Sequence, residues 1–85
     1  MHLLIPTPLR SYTGQRIVQA SGGTLGDVLL DLDRQFPGIR FRMINELDLM
    51  RPHVRFFVNG KQVFELSQAL GPSDEIAIVQ ALSGG

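Results

Sequence analysis

Cysteine and tryptophan are absent from this 85-residue sequence, and neither sign of charge is in excess. Without cysteine, the chain has no disulfide framework, no thiolate nucleophile and no cysteine-ligated zinc. Eight basic and eight acidic side chains give a formal net charge of zero. The chain therefore lacks the surplus of basic residues that would favour binding to nucleic acid or to an anionic membrane. We expect neither partner.

Long apolar runs are also lacking. The first residues, Met1-His2-Leu3-Leu4-Ile5-Pro6, have neither the charged start nor the apolar length of a signal peptide. No stretch is long enough to cross a bilayer, so we expect a cytoplasmic protein. The apolar fraction of 44% is that of a globular chain. We predict one folded domain over residues 1–82 and a flexible tail over residues 83–85.

Short apolar segments separated by turn signals predict five strands. Pro6 and Pro8 cannot donate ladder hydrogen bonds, so part of the first strand must lie at an edge or a bulge. Thr13-Gly14 predicts a turn, and Asn59-Gly60 is the residue pair favoured in two-residue hairpins. The predicted strands are residues 2–9, 15–20, 54–58, 61–64 and 75–80.

An amphipathic helix is the best specified element. Thr24 suits the N-cap, Asp27 follows three residues later, and Pro37-Gly38 ends the pattern. One such helix is expected to cover one face of a mixed sheet, which makes an α+β roll. The apolar face comprises Leu25, Val28, Leu29, Leu32 and Phe36.

The segment between the helix and the third strand has a weaker pattern. Residues 41–50 fit either a helical turn or an irregular crossover. We expect its apolar side chains to pack against the core. They are Phe41, Met43, Ile44, Leu47, Leu49 and Met50.

The sequence ends in Ser83-Gly84-Gly85, directly after the last predicted strand. Two successive glycines lack Cβ atoms and can thread a narrow channel that any side chain would block. A free carboxylate at their end is accessible to another protein's active site. The alternative is an end that frays without function.

The order strand-strand-helix-strand-strand-strand before Gly-Gly resembles the ubiquitin-like β-grasp, and over nearly the whole chain it resembles the MoaD/ThiS family of sulfur carriers. The long segment from Gly38 to Arg51 resembles the MoaD-related, CysO-like branch. Many MoaD-type tails have proline where this chain has Gln80, which weakens an assignment to the molybdopterin pathway. The residues that carry the resemblance are Ile5-Pro6-Thr7, Leu9-Arg10, Thr13-Gly14, Thr24-Leu25-Gly26-Asp27-Val28-Leu29, Phe36-Pro37-Gly38-Ile39, Arg51-Pro52-His53-Val54, Val58-Asn59-Gly60, Asp74-Glu75-Ile76-Ala77-Ile78 and Ala81-Leu82-Ser83-Gly84-Gly85.

The resemblance implies a carrier that partner enzymes act on, with no catalytic residues and no bound cofactor or metal of its own. An E1-like partner would adenylate Gly85 with ATP and Mg²⁺, and a sulfur donor would convert it to a thiocarboxylate. Ser83 and Gly84 would thread the partner's active site. An acceptor synthase would take the sulfur for cysteine or a related metabolite, and a metalloprotease would process the tail.

Three alternatives to the cysteine-pathway carrier stay open. Gly85 of a ubiquitin-like modifier would be joined to lysines on other proteins. The small subunit of molybdopterin synthase would use the same thiocarboxylate. A non-covalent interaction module would not need the tail.

Partner docking is predicted around the third strand. Alternation along residues 54–58 puts Arg55 and Phe57 on the face away from the helix, and with Leu82 they are the candidate docking residues. The alternative is that Phe57 packs against Met43 or Met50. Similarly, Arg10, Arg55 and Lys61 form either a positive rim for an acidic partner or a scattered solvated set.

Overall fold

A five-stranded mixed sheet forms the centre of the protein, and the computed structural model describes residues 1–81 of the chain. The strand order is β2-β1-β5-β3-β4. β1 pairs in parallel with β5, and the other neighbouring strands are antiparallel. The strands are β1 (His2–Leu4), β2 (Ile17–Gln19), β3 (Val54–Val58), β4 (Lys61–Val63) and β5 (Glu75–Gln80).

The predicted amphipathic helix is present as α2 (Leu25–Gln35), and a single-turn helix α1 (Arg10–Thr13) precedes it. No helix within residues 1–81 combines the length and the apolar character needed to cross a membrane. The helix packs on one face of the sheet, where its apolar stripe meets the strands in one core. Its buried residues are Leu25, Val28, Leu29 and Leu32.

The N-terminus of α2 is capped by hydrogen bonds. The Thr24 hydroxyl accepts from the backbone N–H of Asp27 at 3.1 Å, as predicted for an N-cap. The N–H groups of Leu25 and Gly26 donate to backbone carbonyls of segment 66–68, at 2.9 and 2.8 Å. Three of the four N–H groups that a helix start leaves free are therefore occupied by these partners.

The first strand is shorter than predicted. It ends at Leu4, and residues 7–9 form a 3₁₀ helix that continues into α1, so the prediction of a strand through residue 9 was wrong. The N–H of Leu9 donates to the carbonyl of Pro6 at 2.9 Å. Pro8 lies in the first turn of this helix, where its missing N–H costs no hydrogen bond. Burial of Leu9 then anchors the turn to the core.

The crossover after α2 is a 3₁₀ helix, Arg40–Arg42, followed by irregular chain. Both predicted alternatives for this segment, a helical turn and an irregular crossover, thus occur in succession. The expectation that its apolar side chains are buried holds for Met43 and Ile44, which are fully buried. It was wrong for three others: one lies in the 3₁₀ helix, which buries none of its residues, and two lie in a tight loop whose N–H groups bind the Asn45 side chain. These exposed side chains are Phe41, Leu47 and Leu49.

The β3–β4 hairpin turns at Asn59-Gly60, as predicted. Both residues have positive φ, 51° and 85°, the backbone of the two-residue hairpin turn that favours Asn-Gly. The Asn59 side chain also binds the next loop, because its Nδ2 donates to Asp74 Oδ1 at 2.9 Å. β4 ends at Val63, one residue earlier than expected, and Phe64 is exposed.

Candidate functional site at the end of the last strand

The last strand holds the end of the described chain inside the sheet. β5 lies between β1 and β3, and its Gln80 is opposite Val54. One residue further, the N–H of Ala81 donates to the carbonyl of His53 at 2.9 Å. The backbone is therefore held by the sheet as far as Ala81, two residues before the predicted tail. The predicted site residues Leu82, Ser83, Gly84 and Gly85 lie outside the described residues.

Phe57 and Arg55 lie on the sheet face that α2 does not cover. Phe57 is opposite Ala77 and Arg55 is opposite Val79 in the β3–β5 pairing. Phe56, by contrast, is fully buried in the core, whereas Phe57 is half-buried and does not pack against that core. The structure thus favours a surface position for Phe57 over packing against Met43 or Met50.

Apolar side chains extend across this uncovered face. The pairing aligns Ile17 with Leu4, Leu4 with Ala77, and Ala77 with Phe57, so one row crosses four strands. Ile17 and Val79 are 44% and 47% exposed. We call this surface the outer sheet face, defined as Leu4, Ile17, Phe57, Ala77 and Val79.

Sequence reasoning had assigned only Phe57 of this surface. A signal for the others was present in the run Ile76-Ala77-Ile78-Val79. Such a run has apolar residues in both phases of a strand, which is typical of a central strand with two apolar faces. Ile17 had no comparable signal, because its neighbours depend on the register between β2 and β1.

The three basic residues of the predicted rim do not form one group. Arg55 lies beside Val79, and Arg10 borders a groove with Val79 and Gln80. Lys61 is opposite Val58 at the far end of the hairpin, three residues or about 10 Å along the strand from Arg55. The alternative of a scattered set therefore describes Lys61 better than a shared positive rim does.

A separate cavity borders the end of β5, beside the last described residues. Arg51 and Arg42 supply its charges, and Arg51 is held over the Phe41 ring with its guanidinium carbon 4.6 Å from the ring centre. Among residues 1–81, no carboxylate lines this cavity. Sequence reasoning missed it because its residues come from three separate segments. They are Phe41, Arg42, Arg51, His53 and Gln80.

Within residues 1–81, two carboxyl groups have a lowered pKa, and both make hydrogen bonds that stabilise the fold. The backbone N–H of Gly71 and the amide of Asn59 hold the pKa of Asp74 below its ordinary value. Hydrogen bonds from Arg34 and from the N–H of Ser21 likewise lower the pKa of Asp31. Asp74 precedes β5 at the end opposite the tail, so it belongs to the scaffold of the site.

Comparison with known proteins decides the family. The model of the ThiS family matches residues 3–85. The chain belongs to the ThiS family. The predicted family and the predicted ubiquitin-like β-grasp are thereby confirmed.

The relatives of this ThiS-family chain include carriers and modifiers. Sulfur carrier protein CysO of Mycobacterium tuberculosis is 39% identical over 87 residues, covering 95% of this chain and 94% of the relative. Small archaeal modifier protein 3 of Haloferax volcanii is 32% identical over 65 residues, covering 73% and 70%. The chain is therefore a homologue of sulfur carrier and modifier proteins, and is not an enzyme.

Solved structures agree with this assignment. A chain of the Amycolatopsis orientalis BexX/CysO complex superposes with a TM-score of 0.90 at 28% identity, covering 99% of this chain and 98% of that one. The crystal structure of Mycobacterium tuberculosis CysO gives 0.88 at 34% identity, covering 95% and 98%. One of these relatives was thus crystallised in a complex with a second protein.

Proposed function

We propose that this protein carries sulfur as a thiocarboxylate on Gly85. The observation that supports this most directly is the family match, which extends to residue 85 and includes proteins named sulfur carriers. The structure adds that the chain leaves the sheet from its central strand, which is paired with β3 up to Gln80. Such an exit presents the next residues from a rigid base.

The proposed chemistry starts from the Gly85 carboxylate, which is a poor electrophile because its charge is shared by two oxygens. An E1-like enzyme joins one of these oxygens to the α-phosphate of ATP, and pyrophosphate leaves, with Mg²⁺ balancing the phosphate charge. A sulfur donor then attacks the carbonyl carbon and AMP departs. The resulting –COS⁻ group is a soft nucleophile that attacks an acceptor held by a synthase.

In this proposal Gly84 and Ser83 give the tail a narrow profile, and the outer sheet face with Arg55 and Leu82 docks the activating enzyme. The acceptor is an activated serine derivative or a related metabolite, as the resemblance to the CysO-like branch implies, and sulfur carrier protein CysO is among the relatives above. A metalloprotease then frees the product from the tail. The chain contributes the carboxylate and the docking surface, while ATP and Mg²⁺ are bound by the partner.

A second candidate is protein modification, favoured by the similarity to small archaeal modifier protein 3. Activation would be the same, but the acyl-adenylate would pass Gly85 to a lysine amine and form an isopeptide bond.

Intact mass spectrometry of the protein from its native host separates the two candidates. A mass increase that matches replacement of one oxygen by sulfur is expected for the carrier. Incubation of that form with an activated serine derivative and a candidate synthase then tests the acceptor. Ladders of Gly85-linked conjugates without any thiocarboxylate would contradict the carrier proposal.

Replacing Gly84 by valine tests the tail. We expect Gly84→Val to abolish adenylation, since a branched side chain blocks a channel shaped for glycine, while thermal unfolding is unchanged. Gly23→Val is the matched control, because a Cβ at Gly23 meets nothing closer than Asp27 Oδ2 at 4.0 Å. Normal adenylation of Gly84→Val, measured by ATP–pyrophosphate exchange, would contradict the proposed role.

A further inference from the structure

The cavity beside the end of β5 is lined by two arginines and by no acidic side chain of the part of the chain that the structure describes. The only two ion pairs within residues 1–81 use Arg34 and Arg40, so Arg42 and Arg51 are in neither of them. Of the nearby acids, Asp48 already binds Arg40 at 3.2 Å. Although the net charge is zero, positive charge is therefore concentrated here.

Arg51 is positioned for a ligand. Its Nε donates to the carbonyl of Phe41 at 2.7 Å, and the guanidinium stacks on the Phe41 ring. These two contacts fix the plane of the group while its terminal nitrogens make no hydrogen bond within residues 1–81. Such a pre-oriented fork suits a carboxylate, which accepts two parallel N–H bonds.

The side chain of Gln80 sets a second requirement for a ligand of this cavity. Its Oε1 is buried and accepts no hydrogen bond from residues 1–81. A buried acceptor without a donor costs free energy, so a ligand that supplies an N–H is favoured there. A segment with both a carboxylate and a backbone N–H satisfies Arg51 and Gln80 together.

Apolar surface next to the cavity identifies the class of ligand. Arg51 also borders a groove with an apolar wall that includes Met50 and the exposed side chains Leu49 and Phe64. A protein segment with alternating acidic and apolar residues matches this combination. A nucleic acid backbone supplies phosphates but no aliphatic side chains for the groove.

We propose that the cavity of Arg42, Arg51 and Gln80 receives an acidic side chain of the enzyme that activates the tail, with apolar neighbours of that side chain in the adjoining groove. This inference rests on the proposed function, because it assigns the partner of the same site. The cavity borders Gln80 and His53, and the carbonyl of His53 accepts a hydrogen bond from Ala81. A contact there would fix the direction in which the following residues enter the partner.

The test is charge reversal with the full-length chain and the adenylating enzyme from the same host. Arg42→Glu changes a solvent-exposed side chain, so the fold is retained, and Arg51→Glu removes the fixed fork. We expect each to raise KM for the chain by about tenfold or more, with a reduced salt dependence and nearly unchanged kcat. Lys61→Glu is the matched control, since it makes the same change of charge at the far end of the hairpin, and it should match the parent protein.

The outcomes separate this inference from the proposed function. Normal kinetics of Arg42→Glu and Arg51→Glu, with adenylation of the parent chain intact, would overturn the inference alone. Absence of adenylation in the parent chain would overturn both. In an NMR titration, shifts at Arg51 and Gln80 with a short single-stranded oligonucleotide as large as those with the enzyme would also overturn the choice of a protein ligand. Restored kinetics of Arg42→Glu with an enzyme variant in which an acidic residue is replaced by arginine would support the proposed contact.

Discussion

At the scale of single residues, two adjacent phenylalanines in β3 illustrate how the site depends on alternation. Successive side chains of a strand point to opposite faces. Phe56 is consequently fully buried in the core, while Phe57 lies on the outer sheet face opposite Ala77. The same type of side chain therefore stabilises the core at position 56 and is available to contact a partner at position 57.

Alanine at each of these positions should separate stability from docking. Phe56→Ala is expected to lower the free energy of unfolding by about 3–5 kcal/mol, because it leaves a cavity in the core. Phe57→Ala should cost about 1 kcal/mol but slow adenylation by the partner. Urea denaturation and adenylation kinetics measure the two effects. Equal destabilisation by both changes would contradict a docking role for Phe57.

At the scale of elements, the loop before α2 passes very close to the first turn of that helix. A Cβ at Gly22 would lie 2.7 Å from both Asp27 Cβ and Val28 N. Contacts under 3.0 Å with backbone atoms require the chain to move. Glycine at this position therefore sets how closely the loop and the helix approach.

Neighbouring glycines in this loop make a matched pair of variants. Gly22→Ala should destabilise the protein by about 1–3 kcal/mol, as overpacking does in other tightly packed places. A Cβ at Gly23 meets nothing closer than Asp27 Oδ2 at 4.0 Å, so Gly23→Ala should change the free energy of unfolding by less than about 0.5 kcal/mol. Thermal denaturation checks both values. Similar melting temperatures for the two variants would show that the loop moves to accommodate the added methyl group, and would contradict the predicted difference.

At the scale of the whole molecule, carboxylates join elements that are distant in sequence. Asp74 accepts from Gly71 N at 2.7 Å and from Asn59, which links the loop before β5 to the β3–β4 turn. Asp31 accepts from Ser21 N at 3.0 Å and so ties α2 to the end of β2. Both groups have a pKa below the ordinary value in the folded state.

Acid should therefore weaken the fold. A group whose pKa is lower when folded contributes stability above its unfolded pKa, and this contribution is lost as the pH falls through the lowered folded value. We expect the free energy of unfolding to be steady near neutrality and to drop below about pH 4. Asp74→Asn should be less stable than the parent at neutral pH and show a shallower decline. Titration of Asp74 at its ordinary pKa, followed by NMR, would contradict this.

Local signals predicted much of the fold. The Thr24 cap, the stop at Pro37-Gly38 and the Asn59-Gly60 turn each depend on residues close in sequence, and each was found where expected. The strand predicted over residues 2–9 was wrong beyond Leu4, because proline excludes ladder bonds but also suits the first turn of a helix. Local chemistry allowed both outcomes, and burial of Leu9 selected one.

The sequence by itself determined the order of the elements, the family and the candidate tail, because capping, periodicity and turn chemistry act over a few residues. Only the tertiary structure decided which apolar side chains of the crossover stay exposed and which cations surround the end of β5. Arg42, Arg51 and Gln80 are up to 38 residues apart in the printed sequence. Strand register and the path of the crossover bring them together, and both result from packing across the whole domain.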